Sequence, residues 1–460
     1  MTTLWSGRFE AAPDAQVLEW GSSFRFDRRL FEDDVAGSLA WARALARAGV
    51  LSDAEARQIE EALNQILERG RADTTFVDGA DEDVHSFVER LLVERLGDTG
   101  RRLHTGRSRN EQVSLDLRLY LRRRIPVLQR GVHAVVAALT RKAVVAGGSL
   151  MPAFTHFRPA QPVLVAHYFL AHIAALRRDH ARLEAARAEA DALTLGSGAI
   201  AGTSYAVDVQ ALARDLGFSR VVANSIDASS DRDFAASFLY AGALTMVHLS
   251  RLAEDLVILC GDAYRFFELS DELSTGSSMM PQKKNPDPLE LVRGKTGRAI
   301  GHLMALLTTM KGLPSGYNKD LQEDKQAVFD AEDTVAGCLA VARSVVDGLT
   351  LNHDAMTAAS SGLLLATDVA DYLVGRGVPF RRAHEIVAGL VGRLAKEQRD
   401  FASLTVADWQ GASEFFGADI VNRVTPEASV SAKRTPQSTA PAAVQAALVE
   451  AEGWVAAAGR

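Results

Sequence analysis

The sequence has few cysteines, few aromatic residues and no long apolar run, and each shortage excludes a class of protein. Its 460 residues include two cysteines, Cys260 and Cys338, which are too few for a disulfide framework and indicate reduced intracellular thiols. The apolar runs are shorter than the roughly 18 residues of a membrane span. The N-terminal segment carries Arg8 and Glu10 without an apolar centre, which argues against a secretory signal. We therefore expect a cytoplasmic protein with no membrane association.

Basic residues are not in excess either. The chain has 51 Lys and Arg against 58 Asp and Glu, which gives a formal net charge of −7. Nucleic-acid binding usually needs a clustered basic excess, so we do not expect a nucleic acid as partner. No Cys/His group has zinc-ligand spacing, and neither a dinucleotide-binding nor a Walker motif is present. We expect no metal and no cofactor.

Residues that favour helices are abundant in the sequence. In segment 52–70 the apolar residues recur at helical spacing, Ser52 and Glu55 match a capping box, and Gly70 is expected after the last turn. No β-hairpin signal stands out. Similar apolar patterns predict further helices over 83–97, 111–146 (with a kink at Pro126), 162–193, 232–268, 287–312, 325–349, 366–375, 380–397 and 405–411.

This pattern predicts an all-α fold with three helical domains. We place an N-terminal domain at 1–112, a central bundle of long helices at 113–361 and a small C-terminal domain at 362–460. Several long segments are apolar on more than one face, which indicates burial against other subunits. One thick monomeric bundle is the alternative interpretation.

Polar loops interrupt this Ala/Leu-rich background. Segment 101–110 has four arginines and no acid, which is typical of carboxylate or phosphate binding. Segment 154–162 holds His156 before a helix, and a histidine can transfer protons near neutral pH. Segment 275–287 combines serines, lysines and an amide between two long helices, and its two prolines indicate a definite shape. Segment 315–325 is dense in hydrogen-bonding groups. Each segment has an alternative interpretation. Segments 101–110 and 315–325 could be solvated loops, His156 a structural histidine, and segment 275–287 a flexible connector.

This inventory suits proton chemistry on a small anionic substrate. Removal of a proton beside a carboxylate leaves a carbanion whose charge spreads onto that carboxylate. Lysine, asparagine and backbone N–H groups stabilise such a charge as it develops. A serine can act as the base only where its surroundings make an alkoxide accessible.

Six motifs resemble the argininosuccinate lyase branch of the fumarase/aspartase superfamily. They are the opening WSGRF (5–9), HTGRSRN (104–110) followed by TH…AQP (155–162), NSIDASSDRDF (224–234), GSSMMPQKKNPD (276–287) and YNKDLQEDK (317–325). The resemblance covers nearly the whole chain. It implies an all-helical homotetramer with active sites shared between subunits, and reversible cleavage of L-argininosuccinate to L-arginine and fumarate in arginine biosynthesis, without a cofactor.

The resemblance also assigns roles to residues. Ser277 would be the base that removes the Cβ proton, His156 its acid/base partner, and Glu290 the carboxylate that holds the His156 imidazole. Lys283 and Asn285 would bind the carboxylate that gains charge. The substrate would be held by Ser23, His85, Ser108, Arg109, Asn110, Thr155, Tyr317, Gln322 and Lys325.

Some positions depart from the pattern of that branch. Glu111 stands where Asp is usual, Phe157-Arg158 replaces Leu-Gln, and Gln437-Ser438 replaces a Gly-Gly pair, which should stiffen that turn. None of these changes removes a proposed catalytic group. Two other functions remain open: another fumarate-releasing lyase such as adenylosuccinate lyase, and a non-catalytic, crystallin-like structural protein on the same scaffold.

Overall fold

The computed structural model describes residues 14–458, so the WSGRF segment lies outside the described residues. Helices account for most of this region, as the apolar spacing predicts. In chain order they are α1 (Ala15–Gly21), α2 (Phe24–Asp27), α3 (Phe31–Arg47), α4 (Asp53–Ala72), α5 (Val84–Leu96), α6 (Asp98–Arg101), α7 (Arg109–Ala146), α8 (Val165–Ala190), α9 (Val209–Asp215), α10 (Ser225–Ser230), α11 (Asp233–Cys260), α12 (Asp287–Met310), α13 (Asp324–Gly348), α14 (His353–Ala359), α15 (Ala366–Gly375), α16 (Phe380–Lys396), α17 (Val406–Ala412), α18 (Ile420–Arg423), α19 (Pro426–Ser431) and α20 (Pro441–Ala458).

The five long helices, α7, α8, α11, α12 and α13, match predicted segments. Their apolar residues recur at helical spacing over 24 to 38 residues, which gives each helix an extended buried stripe. Pro126 lies inside α7, and the kink expected there stays a prediction. The 18-residue helix α20 was not predicted from the sequence. None of the helices within 14–458 is both long enough and apolar enough to cross a membrane.

Helix α4 confirms one terminal signal and corrects another. Ser52 accepts a hydrogen bond from the Glu55 backbone while the Glu55 carboxylate accepts one from the Ser52 backbone, as a capping box requires. Gly70 does not follow the last turn, because the helix continues to Ala72. A Cβ on Gly70 would lie 2.3 Å from the Phe31 ring, so this glycine permits close packing of α3 on α4.

A β-hairpin at 150–164 contradicts the expectation that the sequence contains none. Strands β1 (Leu150–Thr155) and β2 (Arg158–Leu164) pair antiparallel, and the second strand occupies the start of the predicted helix 162–193. The turn residues His156 and Phe157 both have positive φ, at 52° and 57°. This two-residue turn usually carries Asn-Gly, so a His-Phe turn gave no recognisable signal.

The described region also contains six two-residue strands and six short 3-10 helices, the latter at Arg28–Leu30, Arg102–His104, Asp271–Leu273, Lys319–Glu323, Gly362–Leu365 and Phe401–Ser403. The strands are β3 (Ala192–Leu193), β4 (Arg220–Val221), β5 (Phe267–Glu268), β6 (Thr275–Gly276), β7 (Lys284–Asn285) and β8 (Thr350–Leu351). The pairs are β3 with β4, parallel, and β5 with β8 and β6 with β7, both antiparallel.

The chain forms two compact units, and both are discontinuous in sequence. The first contains 14–129, Ala181–Ala243 and Arg298–Val335; the second contains Arg130–His180, Leu244–Gly297 and 336–458. In the first unit, Phe87 stacks on Phe24 at 5.1 Å between ring centroids. In the second unit, Trp409 is buried against Phe416 at 5.0 Å in the core of the C-terminal helices. The three-domain division made from the sequence stays a prediction.

Candidate active site

The first unit contains a polar cavity of about 140 Å³. Six of the nine residues predicted to hold substrate line it, although they come from four separate segments of the chain. Acids and bases are mixed on its wall. The lining residues are Ser23, Asp27, Glu82, Asp83, His85, Arg109, Val113, Tyr317, Lys319, Gln322 and Lys325.

Ser23 is fixed at the start of α2. Its backbone N–H donates to the Glu82 carbonyl at 2.8 Å, and its hydroxyl donates to the Asp27 carboxylate. The other oxygen of Asp27 accepts a hydrogen bond from the Val84 backbone at 3.0 Å. Burial raises the pKa of Asp27, while the positive charge of His85 and the Ser23 hydroxyl oppose that rise. These contacts hold the Ser23 hydroxyl on the cavity wall.

Arg109 begins α7 and faces acids on α5 and its N-terminal cap. Its Nε lies 3.6 Å from Asp83 Oδ2, and its Nη2 lies 3.4 Å from Glu89 Oε2. Burial would raise the pKa of Asp83, but the charges of Arg109 and His85 prevail and lower it to about 2. Asp83 is therefore an anion on the cavity wall at neutral pH.

His85 is buried between two aspartates. Its Nδ1 lies 2.8 Å from Asp34 Oδ1 and 3.2 Å from Asp116 Oδ2. Burial would lower the pKa of His85, but hydrogen bonds to Asp116 and Asp34 and the charge of Asp83 raise it to about 10. The imidazolium thus supplies a positive charge between carboxylates that would otherwise repel one another.

Lys325 is held by its neighbour in the chain. Its Nζ donates to Asp324 Oδ1 at 2.7 Å, and Arg232 Nε donates to Asp324 Oδ2 at 2.5 Å. All three side chains are buried. Burial would raise the pKa of Asp324, but the two cations lower it, so the acid stays ionised.

Gln322 and Tyr317 complete the predicted group on this cavity. Gln322 Nε2 donates to the Gly21 carbonyl at 3.1 Å. Burial is the main cause that raises the pKa of Tyr317 to about 12, so its phenol stays a hydrogen-bond donor. Ser108 and Asn110 flank Arg109 without lining the cavity. Asn110 instead donates to the Ala199 carbonyl at 3.4 Å.

In the second unit, the hairpin turn presents two predicted residues. Thr155 ends β1 and His156 is the first residue of the turn, and both side chains are exposed. Arg158, one of the departures noted in the sequence, pairs with Thr155 in the strand register and is exposed. A left-handed backbone at a non-glycine residue is strained, and such strain is found mainly at functional sites.

The loop that contains Ser277 has a defined shape in the second unit. Paired strands β6 and β7 bring its two ends together, so that Gly276 lies opposite Lys284. Ser277 Oγ accepts hydrogen bonds from the Met280 and Met279 backbones at 3.1 and 3.3 Å. Such donors favour the negatively charged form of the oxygen.

The remaining predicted catalytic residues lie on or beside this loop. Lys283 is exposed near the loop tip, and Asn285 is half-buried in β7. Glu290 is exposed on α12, with its Oε1 3.7 Å from Arg293 Nη2. Within residues 14–458 no hydrogen bond or ion pair joins Glu290 to His156.

Several buried or half-buried acids on or next to the cavity were not predicted from the sequence. Asp27, Asp34, Asp83, Asp116 and Asp324 each contact a residue predicted to hold substrate. The run Asp-Glu-Asp at 81–83 and the acids of the 317–325 segment were visible as charge clusters. Partners such as Arg109 for Asp83 and Arg232 for Asp324 lie tens of residues away, and that information is absent from local sequence patterns.

Comparison with known proteins identifies the family. Residues 7–301 match the family described as Lyase, and residues 363–431 match the one described as Argininosuccinate lyase C-terminal. The chain is 47% identical to the argininosuccinate lyase of Moorella thermoacetica over 97% of both chains. It is 46% identical to that of Heliobacterium mobile, again over 97% of both. The chain belongs to the argininosuccinate lyase family.

Solved structures agree with the all-α fold. An EDDS lyase in complex with formate superposes with a TM-score of 0.85 at 26% identity, covering 98% of this chain and 93% of that one. A fumarate lyase from Mesorhizobium sp. BNC1, at 22% identity, superposes with a TM-score of 0.77 over 93% of this chain and 99% of that one. The resemblance to argininosuccinate lyases and the predicted all-α fold are confirmed, and the chain is a lyase.

Proposed function

We propose that the chain catalyses the reversible β-elimination of L-argininosuccinate to L-arginine and fumarate, the last step of arginine biosynthesis. The observation that carries this proposal is the cavity of the first unit, on which six predicted substrate-binding residues converge. Its wall combines cations with the anions Asp27, Glu82 and Asp83. Charges of both signs suit a substrate that contains carboxylates, an ammonium group and a guanidinium group.

Ser277 is the base in this proposal. Its Oγ takes the proton from the Cβ atom of the succinyl part, and the electron pair passes into the neighbouring carboxylate. That pair then forms the C=C bond of fumarate as the Cα–N bond breaks, and the departing nitrogen gains a proton to complete arginine. The Met279 and Met280 N–H groups support the role of Ser277, because they stabilise an alkoxide on Oγ.

The other catalytic residues take the roles that the family resemblance assigns. Lys283 and Asn285 bind the carboxylate that gains charge, where a cation and an amide donor lower the energy of the intermediate. His156 supplies the proton that the departing nitrogen gains, and Glu290 orients the His156 imidazole. Thr155, Ser108 and Asn110 hold the fumarate part. Each of these roles requires a contact with the substrate or, for Glu290, with His156, so a structure with bound substrate tests them together.

The protein acts as a homotetramer whose active sites are shared between subunits. Apolar side chains on α12 support this proposal: Ile300, Met304 and Leu307 follow helical spacing and are 41%, 55% and 43% exposed. A stripe of this kind is costly to leave in water and is typical of a helix that packs against another subunit. Light scattering coupled to gel filtration should give the mass of four chains, and a monomeric mass would contradict the proposal.

The substrate is tested against the nearest alternatives by measuring fumarate release. L-argininosuccinate should yield fumarate, and adenylosuccinate should yield none. Fumarate from adenylosuccinate alone would favour the other lyase, and no turnover of either would favour a crystallin-like structural role. A cytoplasmic location is part of the same proposal, and cell fractionation tests it.

A further inference from the structure

Glu111 joins two separate segments of the first unit. Its Oε1 accepts a hydrogen bond from the Ser108 backbone at 3.0 Å, and its Oε2 accepts one from the Gly198 backbone, also at 3.0 Å. A third contact runs from the Thr194 hydroxyl to the Glu111 carbonyl at 3.0 Å. The Glu111 side chain is completely buried. The carboxylate therefore ties the start of α7 to the loop that contains Thr194 and Gly198.

An ordinary helix cap accounts for the contact with Ser108 but not for the contact with Gly198. Ser108 precedes α7, and a glutamate three residues further on commonly accepts a hydrogen bond from the backbone of the capping residue. The bond from Gly198 has no place in that motif. It comes from a position 87 residues away in the chain, and it uses the oxygen that a helix cap leaves free for solvent.

The loop that supplies the second donor is tightly folded. Gly198 has φ +58°, and a Cβ at this position would lie 2.5 Å from the Gly202 carbonyl oxygen. The Gly202 backbone in turn donates to the Ser197 carbonyl at 2.7 Å. Only glycine fits at 198, so the direction of its N–H towards Glu111 is set by the backbone of the loop.

We propose that Glu111 is a positioning residue that fixes the Ser108–Asn110 segment against the 194–202 loop and so sets where Ser108 and Asn110 meet the substrate carboxylate. The inference rests on the proposed function. Asn110 supports it, because its side chain also reaches that loop, at the Ala199 carbonyl.

The charge of Glu111 matters because both of its oxygens accept a hydrogen bond from an N–H group. Burial raises the pKa of Glu111 to about 7, against the lowering effect of the Ser108 and Gly198 donors and the nearby charge of Arg107. In Glu111→Gln, one oxygen becomes an amide NH₂ that opposes a backbone N–H. Such a variant keeps the volume of the side chain and loses one of the two contacts.

The test compares steady-state kinetics of Glu111→Gln and Glu111→Asp with the unsubstituted protein at pH 8.5, where Glu111 is ionised. We expect KM for L-argininosuccinate to rise about tenfold in Glu111→Gln, because one of the two hydrogen bonds that hold the Ser108–Asn110 segment in place is lost. The value of kcat should change less. Glu111→Asp should have an intermediate KM, since it keeps both acceptors with a shorter reach.

Asp408→Asn is the matched control. Like Glu111, Asp408 accepts a hydrogen bond from the backbone N–H three residues earlier, which here belongs to Thr405. This contact is part of the capping box of α17, in the C-terminal segment. This control should lower thermal stability without changing KM. An unchanged KM in Glu111→Gln would overturn the inference. If that variant does not fold, an unchanged KM in a folded Glu111→Asp overturns it equally. Failure of the unsubstituted protein to release fumarate would instead count against the proposed function.

Discussion

Asp324 and Lys325 are neighbours in the chain and form a buried ion pair, with 2.7 Å between Oδ1 and Nζ. The second oxygen of Asp324 pairs with Arg232, a residue from a different segment, at 2.5 Å. One carboxylate therefore pairs with two buried cations. Because Lys325 also lines the cavity, the same acid that stabilises the fold sets the position of a predicted substrate-binding group.

Asp324→Asn should destabilise the protein and weaken substrate binding. Loss of one member of a buried ion pair costs about 3–5 kcal/mol, because the partner charge stays buried. Asp347→Asn is the control, since Asp347 pairs with an exposed arginine, Arg141, and such pairs contribute about 0–1 kcal/mol. Thermal unfolding and KM for L-argininosuccinate measure the two effects. Equal stability losses in the two variants would contradict the role given to Asp324.

Ser277→Ala should nearly abolish turnover while the protein stays tetrameric. The substitution removes the oxygen that takes the Cβ proton, and the half-buried side chain contributes little to packing. Ser278→Ala, one residue further on and exposed, should keep most of the activity. The measurements are kcat and the mass in solution. Near-normal kcat in Ser277→Ala would show that another group is the base.

His85 should make the stability of the fold sensitive to alkaline pH. Its pKa rises from 6.5 to about 10 in the folded protein, because the favourable contacts with Asp116, Asp34 and Asp83 outweigh burial. The imidazolium therefore stabilises the fold fully below about pH 6.5, and this contribution is lost as the pH rises towards 10.

The check is the melting temperature between pH 7 and pH 10. We expect it to fall less steeply in His85→Asn than in the unsubstituted protein. The exposed His384 offers a control, since His384→Asn should keep the original slope. If His85→Asn and the unsubstituted protein have the same slope, the charge on His85 does not stabilise the fold.

Inactive variants from different loops should restore activity when their subunits are mixed. A shared active site takes groups from several subunits, so a tetramer that combines His156→Asn and Ser277→Ala chains contains some sites without either change. Two variants of the same loop, Ser277→Ala and Lys283→Met, provide the control and should not complement. Failure of the first pair in verified mixed tetramers would count against sharing.

Much of the helical fold could be predicted from local patterns. Helix α4 has its apolar residues at helical spacing and a capping box at Ser52, and both features depend on residues within a few turns. The hairpin at 150–164 could not be predicted, because His156 and Phe157 replace the residues that usually signal its turn. Gly70 was misjudged for a similar reason: its role depends on Phe31, which lies on another helix.

The candidate site, too, could be predicted from the sequence only in part. The residues that meet in the first-unit cavity were found through motifs, and their convergence needed the fold. The acids that position them were missed, because Asp324 is recognised only with Arg232, 92 residues away. Glu111 was noted as a departure from the family, while its contact with Gly198 appeared only in the structure.

Fumarate release from L-argininosuccinate is the most direct test of the proposed function. Fumarate absorbs in the ultraviolet and argininosuccinate scarcely does, so the reaction is followed without a coupling enzyme. With the unsubstituted protein we expect absorbance to rise at a rate proportional to enzyme concentration, with one arginine formed for each fumarate. With Ser277→Ala the absorbance should stay flat. No fumarate from the unsubstituted protein, even at high enzyme concentration, would contradict the assignment of this chain as an argininosuccinate-cleaving enzyme.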